Sequence, residues 1–550
     1  MKRGTKIFLI VLGIVFGIGI VGFIAADIAV TYVVTKQLDK ALAKMPAEYG
    51  EVSYGGLQVR LFSGTAGISD IRYTYKGEGL PVTGYGKNGK KKAESAPGVE
   101  IRIGHIEIGR LFYAPLLAKR VLVSDIRIFD PSIELWMDEK HPELCFPKIE
   151  KSQKSKDESP KPFPLNSAEL MNLRIYDACF ALHSVRTKLD VVADTLSMTV
   201  HDLAYDSLFH YNDSDYYFSL AHAVVLIPDG RVHIETRDIR QEDQGSLSIG
   251  RTQIAHTMAK MKLGDLVREP VTWISMDIEQ VTTAPFNPVR KALAQDYTLE
   301  QAEVEIAKMD IFRDTRYKPK KPFPMPQQIL MALPVTFDLK HVDAIIRLIH
   351  IELASTEHNI GHMDLKDIRA GVDHVTNRRA HTLSVKGSCP LDQGHGQASM
   401  SMTMNKDCPF AVQMHVTDVD VAFLSPFIRP LVGMAAECHA DTLDSQYKGN
   451  KDRADGTFRM LYHGLKVQVY KDDDIPYKIV TRNANTFTTL GNTLIPKSNP
   501  TAVDIRPRAY QVEWKRNEMQ PFPLYLFGPC IDGVKKTFLP GLYVHMQVRK

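Results

Sequence analysis

A few groups of residues have types and spacings that bear on chemistry. Gly84, Gly89 and Lys90 follow the spacing of a phosphate-binding loop, in which backbone N–H groups and a lysine hold phosphate oxygens. The match ends in Lys91 instead of the Ser or Thr that reaches Mg2+, and no apolar strand leads into it. Gly17, Gly19 and Gly22 spell G-x-G-x-x-G, but inside an uncharged apolar run and without the preceding strand a dinucleotide site needs. His358 and His362 stand i, i+4 like zinc ligands on a helix; Asn359 replaces the glutamate of H-E-x-x-H, and the flanks read as a turn. The six cysteines, Cys145, Cys179, Cys389, Cys408, Cys438 and Cys530, form no C-x-x-C, which argues against a zinc ribbon or a thioredoxin-type site. Cys389 and Cys408 each precede a proline and are placed to flank a hairpin, with buried free thiols an equally good reading. No G-x-S-x-G occurs. Asn212-Asp213-Ser214 is a formal glycosylation sequon of a kind common by chance. These residues lead to the expectation of no catalytic centre, no metal and no cofactor.

The elements that would position such residues point elsewhere. Residues 7–26 are uncharged and apolar, with Ile7, Phe8, Leu9, Phe16, Phe23 and Ala26 among them. Twenty helical residues span roughly 30 Å, the thickness of a bilayer core. Lys2, Arg3 and Lys6 precede the run, so the positive-inside rule places residues 1–6 in the cytoplasm and sends the bulk of the chain across the membrane. Residues 7–33 are therefore expected to be a single-pass anchor helix; the rival reading is a cleaved signal peptide cut at Ala25-Ala26. Among 550 residues, 68 Lys and Arg stand against 64 Asp and Glu, a net charge of +4 that gives no basic excess for nucleic acid. With 44% hydrophobic and 24% charged residues the chain has the composition of a folded protein.

Beyond Tyr54 the dominant pattern is period-two alternation, the mark of strands with one buried face. It places Leu57, Val59 and Leu61 on one side of a strand, and likewise Val99, Ile101 and Ile103, with a slip at Gly104-His105 that suggests a bulge or a bend into a new strand. The same alternation recurs at Ile274, Met276 and Ile278; at Met400, Met402 and Met404; at Val412 and Met414 after Phe410; at Val419, Val421 and Phe423; and at Leu465, Val467 and Val469. It returns near the end at Leu542, Val544, Met546 and Val548. Helical patterns are few: residues 39–44, 253–267, 289–293 and a turn or two within 423–436. Residues 84–98 read as a glycine- and lysine-rich loop, and 148–164 as a charged, proline-punctuated linker. A shared Lys-Pro-Phe-Pro at 161–164 and 321–324 hints at a duplicated unit of roughly 160 residues. The predicted organisation is an N-terminal β module at 46–147, the linker 148–164, a central β segment 165–345, a C-terminal β segment 346–470 and a closing segment 471–550.

The order of segments resembles the AsmA-like family of Gram-negative bacteria. The resemblance rests on the basic N-terminus and anchor, on residues 52–73 and 98–139 with Pro131, Ile133 and Leu135, on the stretch 453–469, and on Asn483-Ala484-Asn485, Asn499-Pro500 and the closing segment 522–539. It implies a mainly β fold: an elongated, curled antiparallel or mixed sheet forming an open apolar groove, with few short helices and one N-terminal transmembrane helix. It also implies an inner-membrane-anchored periplasmic protein that binds phospholipid acyl chains and contributes to lipid transport to, or homeostasis of, the outer membrane. The alternative is a non-transporting scaffold for outer-membrane protein or envelope assembly. The expected partners are phospholipids, the inner membrane and envelope-assembly proteins, and no nucleic acid.

Overall fold

The computed structural model describes residues 26–44, 50–75, 98–138, 167–184, 189–206, 216–227, 232–241, 245–286, 297–333, 336–379, 381–471 and 483–538, with the backbone alone for 81–85, 91–95 and 205–206. The expected anchor residues Ile7, Phe8, Leu9, Phe16 and Phe23 lie outside these residues, as do 139–166, 287–296 and the last expected strand at 542–548. Ala26 opens helix α1, residues 26–43. Among the described residues no helix is long and apolar enough to cross a membrane.

The chain divides into two compact units, Met1–Glu242 and Asp243–Lys550. The first holds β1 (Glu51–Ser53), β2 (Gly56–Arg60), β3 (Thr65–Tyr75), β4 (Pro81–Tyr85), β5 (Lys91–Ser95) and β6 (Val99–Ile108). After helix α2 (Tyr113–Leu116) come β7 (Arg120–Met137), β8 (Ser167–Ser184), β9 (Asp190–Asp206), β10 (Tyr216–Ile227) and β11 (Val232–Gln241). β1 and β2 lie end to end along β3, and β3, β6, β7, β8, β9, β10 and β11 follow side by side. All these pairs are antiparallel except β7–β8, which is parallel. β4 and β5 form a separate hairpin, so the stretch expected to be a loop at 84–98 contains paired strands, with Val82 opposite Glu94.

A line of irregular residues crosses this sheet. Asp70, Asp130, Asp177, Thr195 and Asp238 have φ between 51° and 60°, and each sits where its strand's pairing skips a residue. Left-handed backbone suits Gly, Asn and Asp best, so the aspartates are the residue type expected at such bulges. Gly104 lies in the same line on β6. A Cβ there would stand 3.3 Å from the Cβ of Asp130, so the small residue lets the neighbouring bulge fit. Because every strand slips at the same level, neighbouring strands stay in phase on both sides of the line.

The second unit holds β12 (Leu247–Ile249), β13 (Thr252–His256), α3 (Lys260–Val267), β14 (Thr272–Thr283), β15 (Tyr297–Asp314), α4 (Pro326–Met331), β16 (Phe337–Ala354) and β17 (Ile360–Thr376). It continues with β18 (Thr382–Leu391), β19 (Gly394–Thr403), β20 (Phe410–Asp420), α5 (Ser425–Val432), β21 (Met434–Gly449), β22 (Arg453–Val469), α6 (Ala484–Leu494), β23 (Ala509–Lys515) and α7 (Phe522–Phe538). β12 and β13 lie end to end along one edge of β14, and β14 to β23 follow in chain order, antiparallel except for the parallel pair β15–β16. Both units are thus mainly antiparallel sheets with short helices and one parallel pair each.

The duplication suggested by Lys-Pro-Phe-Pro has a topological counterpart. β7, β8 and β9 are 18, 18 and 17 residues long, and so are β15, β16 and β17. In each trio a parallel pair is followed by an antiparallel partner. The starts of β8 and β9, Ser167 and Asp190, precede those of β16 and β17, Phe337 and Ile360, by about 170 residues.

Several expectations are corrected. The boundary at 345/346 falls inside β16, where ladder pairing is continuous on both sides. Residues 253–267 are not one helix: Gln253 and Ile254 pair with β14, and only Lys260–Val267 is helical. The strand expected through Val421 and Phe423 stops at Asp420, whose carboxylate accepts from the N–H of Ala422 and caps a helical turn. His358 lies in a bend and His362 in β17, in keeping with flanks that read as a turn and not as a helix. The five described cysteines are free thiols, with Cys408 and Cys438 buried.

Candidate functional site: an apolar sheet face

Directly paired residues of neighbouring strands point to the same side of a sheet, so the register of the first unit defines two faces. One row runs Ile68, Ile106, Ile128, Ile175, Met198 and Phe218 across β3, β6, β7, β8, β9 and β10. A second, beyond the line of bulges, runs Tyr75, Val99, Leu135, Leu182, Val191, Val225 and Ile234, reaching β11. Both rows are apolar throughout. The opposite face carries rows such as Glu107, Arg127, Arg174, Thr199 and Tyr217. It also carries imidazole–carboxylate pairs, His183–Asp190 at 3.0 Å and His222–Glu235 at 3.2 Å.

The apolar face of the first unit is not packed to the degree of a protein interior. Among the described side chains, Val99 and Val200 are the buried hydrophobic residues of its strands, together with Pro131. The other side chains in these rows are half-buried, as neighbours in a sheet make them without a second layer on top. Burial of a second layer would bring such residues close to zero exposure, as it does in the second unit.

Helix α1 meets the edge of this sheet. The N–H of Leu61 donates to Asp27 Oδ1 at 2.7 Å and that of Val59 to Thr31 Oγ1 at 2.9 Å. Polar side chains on the helix thereby satisfy donors of the edge strand β2, which would otherwise template pairing with another chain. Ile28, Tyr32 and Val33 of the same helix are exposed.

The residues singled out from sequence fall into three groups. Leu57 and Val59 pair with Ile68 and Ala66 and so share the apolar face with Val99, Ile101 and Ile103; Leu61 lies just past the end of β2. Ile274, Met276 and Ile278 stand opposite Ile311, Met309 and Ile306 on the corresponding face of the second unit, where Ile274 is 39% exposed. The remaining ones are covered by the chain itself. Met402, Met404 and Val412 are buried in a cluster with Phe410, Tyr447 and Tyr525, against which Met400 and Met414 pack. Leu465 is buried with Phe458 and Tyr462, Val467 packs on that cluster, and Val469 is 6% exposed. These eight are corrected from groove lining to core. The cause is α7, whose Tyr525, Cys530 and Val534 lie over β20 to β23, α4, which brings Leu330 and Met331, and α6, whose Asn492 and Thr488 bond the backbone of Val467 and Val469.

The polar side of the second unit has a hollow of about 890 Å3 bordered by Arg369, Lys386, His415, Asp444 and Arg459. Asp444 accepts from Arg459 Nη2 and His415 Nδ1, each at 2.7 Å. Burial raises its pKa, but these hydrogen bonds outweigh it and hold the carboxyl below the ordinary value. Elsewhere on the polar side, the Asp373 carboxylate, 2.7 Å away, holds the His341 imidazole above its ordinary value.

Sequence reasoning missed most of the apolar rows in β7 to β11. The runs were present, but a bulge at Asp177 puts Ile175 and Ala178 on one face, a spacing of three that breaks the period-two signal. Aspartate inside an apolar run was the available clue. No protein-family model, curated protein or solved structure matches the chain.

Proposed function

We propose that this chain is a non-catalytic, membrane-tethered lipid-binding protein whose apolar sheet face in the first unit receives phospholipid acyl chains. In this reading residues 7–33 hold it in the inner membrane with residues 1–6 cytoplasmic, the bulk is periplasmic, and the protein contributes to phospholipid transport to, or homeostasis of, the outer membrane. The observation that carries it is the continuous apolar face across β3 to β11 whose side chains are only half-buried among the described residues. Such a face costs free energy in water, and each methylene of an acyl chain laid on it recovers about 0.8 kcal/mol without any directional bond. The resemblance to AsmA-like proteins supports the same reading. The self-filled core of the second unit favours a scaffold role for that part, in which it docks envelope-assembly proteins without passing lipid.

Site-specific photocrosslinking in cells tests the lipid reading. A photoreactive residue at Ile106, Ile175 or Leu182 is expected to yield phospholipid adducts, and one at Arg102, Arg174 or Thr199 on the opposite face is not. Equal labelling of both faces, or none at the apolar positions, refutes it.

A further inference from the structure

Asp338, His374 and His381 come from three places in the sequence and meet at one end of the second unit's sheet. Asp338 is the second residue of β16, His374 lies two residues before the end of β17, and His381 immediately precedes β18. The ladder pairs Asp338 with Thr376, which leaves His374 diagonally across from the carboxylate. His374 has φ 54°, a left-handed backbone that L residues rarely adopt within a strand, and the resulting bulge re-aims its side chain. Its Nδ1 lies 3.2 Å from Asp338 Oδ1, and His381 Nε2 lies 3.8 Å from Asp338 Oδ2. The two imidazoles are stacked, with centroids 4.5 Å apart and an interplanar angle of 15°.

This arrangement differs from the other imidazole–carboxylate pairs of the protein. In the pairs His350 with Asp364 and His415 with Asp444 the carboxylate side chains are 48% and 37% exposed. Here two imidazoles converge on one carboxylate that is only 1% exposed. Neutral imidazole nitrogens and an ionised carboxylate are all ligands for a divalent cation. One candidate ligand atom from each residue lies within 4.8 Å of the others. Ligand atoms on a tetrahedral zinc ion with bonds near 2.0–2.1 Å stand about 3.3 Å apart; here His374 Nδ1 lies 3.2 Å from one oxygen of Asp338 and His381 Nε2 lies 3.8 Å from the other.

We propose that Asp338, His374 and His381 form a binding site for a divalent first-row transition ion of the zinc class. Two imidazoles and one carboxylate without a thiolate suit Zn2+, and three protein ligands leave a coordination position for water. The surroundings hold the ligands in place. Thr376 Oγ1 donates to the carbonyl of Phe337 at 2.7 Å, and the N–H of Phe337 donates to Asn377 Oδ1 at 3.1 Å, so both residues flanking the β16–β17 end are pinned. The bound ion ties the segment that ends at His381 to the start of β16.

The test uses the full chain, freed of metal by a chelator and titrated with Zn2+ by equilibrium dialysis and with Co2+ by visible absorption. One equivalent of either ion is expected, with a Co2+ spectrum of four-coordinate nitrogen and oxygen ligation. His381→Ala and His374→Asn, the latter retaining a residue that accepts positive φ, are each expected to weaken binding by at least about the 100-fold that loss of an outer-shell partner can cost. His415→Ala serves as the control and is expected to bind as the parent does. His381 side-chain atoms are 38% exposed outside any strand, so His381→Ala decides the matter even where His374→Asn fails to fold. Zn2+ is expected to raise the melting temperature of the parent and not of His381→Ala. Parental affinity in His381→Ala, or an equal loss in His415→Ala, overturns the proposal.

Discussion

Tyr447, Tyr462 and Tyr525 each donate a phenol hydrogen to a backbone carbonyl, of Leu526, Pro496 and Asn450, at 2.5, 2.9 and 2.8 Å. Each is about 1% exposed, and burial raises all three pKa values. Burial likewise pushes the Cys438 thiol up to about 12. In the unfolded chain a thiol ionises near 8.5 and a phenol near 10. Above those values the unfolded chain binds fewer protons than the folded one, so stability falls as pH rises; it is fully present below about pH 8. Each group lowers stability by about 1.4 kcal/mol per pH unit once its unfolded form has ionised. The urea midpoint is therefore expected to drop between about pH 9 and pH 11, and to drop less steeply in Tyr462→Phe. Identical slopes in parent and variant contradict this account of the buried phenols.

At the scale of elements, α7 decides which part of the sheet is core. Its glycines permit the contact. A Cβ on Gly533 would stand 2.1 Å from Phe458 Cγ, and one on Gly528 2.4 Å from Trp514 Cδ1. Glycine inside a helix ordinarily costs about 0.5–1 kcal/mol against alanine, so alanine at such a position is usually stabilising. Here overpacking reverses the sign: Gly528→Ala and Gly533→Ala are expected to destabilise the second unit by about 1–3 kcal/mol. Gly491 in α6 is the contrast, because its nearest neighbour for an added Cβ is Val467 Cβ at 3.6 Å, an ordinary contact. Gly491→Ala is expected to be neutral or stabilising by up to about 1 kcal/mol. Urea denaturation of the three variants checks the ordering, and a stabilised Gly533→Ala would show that α7 does not pack against Phe458 in solution.

For the whole molecule, the two units differ in what completes them. The second contains two buried clusters made from its own helices and strands; among the described residues the first has an apolar face with little burial. If acyl chains complete the first unit, as proposed, its stability depends on lipid by mass action. A ligand at about 100 times its dissociation constant adds about 2.7 kcal/mol. Stripping the purified chain of lipid is expected to increase amide exchange in β6 to β9 and leave β20 to β22 unchanged, and adding phospholipid back is expected to reverse it. Exchange in β6 to β9 that is indifferent to lipid argues against the lipid reading.

Much of the β character was legible before any coordinates. Period two in Val99, Ile101 and Ile103, or in Phe410, Val412 and Met414, is a local property: adjacent residues on a strand must point to opposite faces whatever they pair with. The slip at Gly104 was legible for the same reason. Strand order, the two parallel pairs and the alignment of bulges from Asp70 to Asp238 were not, because pairing between distant segments leaves no local trace. Nor does a strand's own pattern say what lies on its apolar side. Ile101 and Met402 read alike in sequence, yet the first is half-buried and the second sits under the chain's own helices. Alternation establishes that a face is apolar, and only the path of α4 and α7 through space decides whether protein covers it.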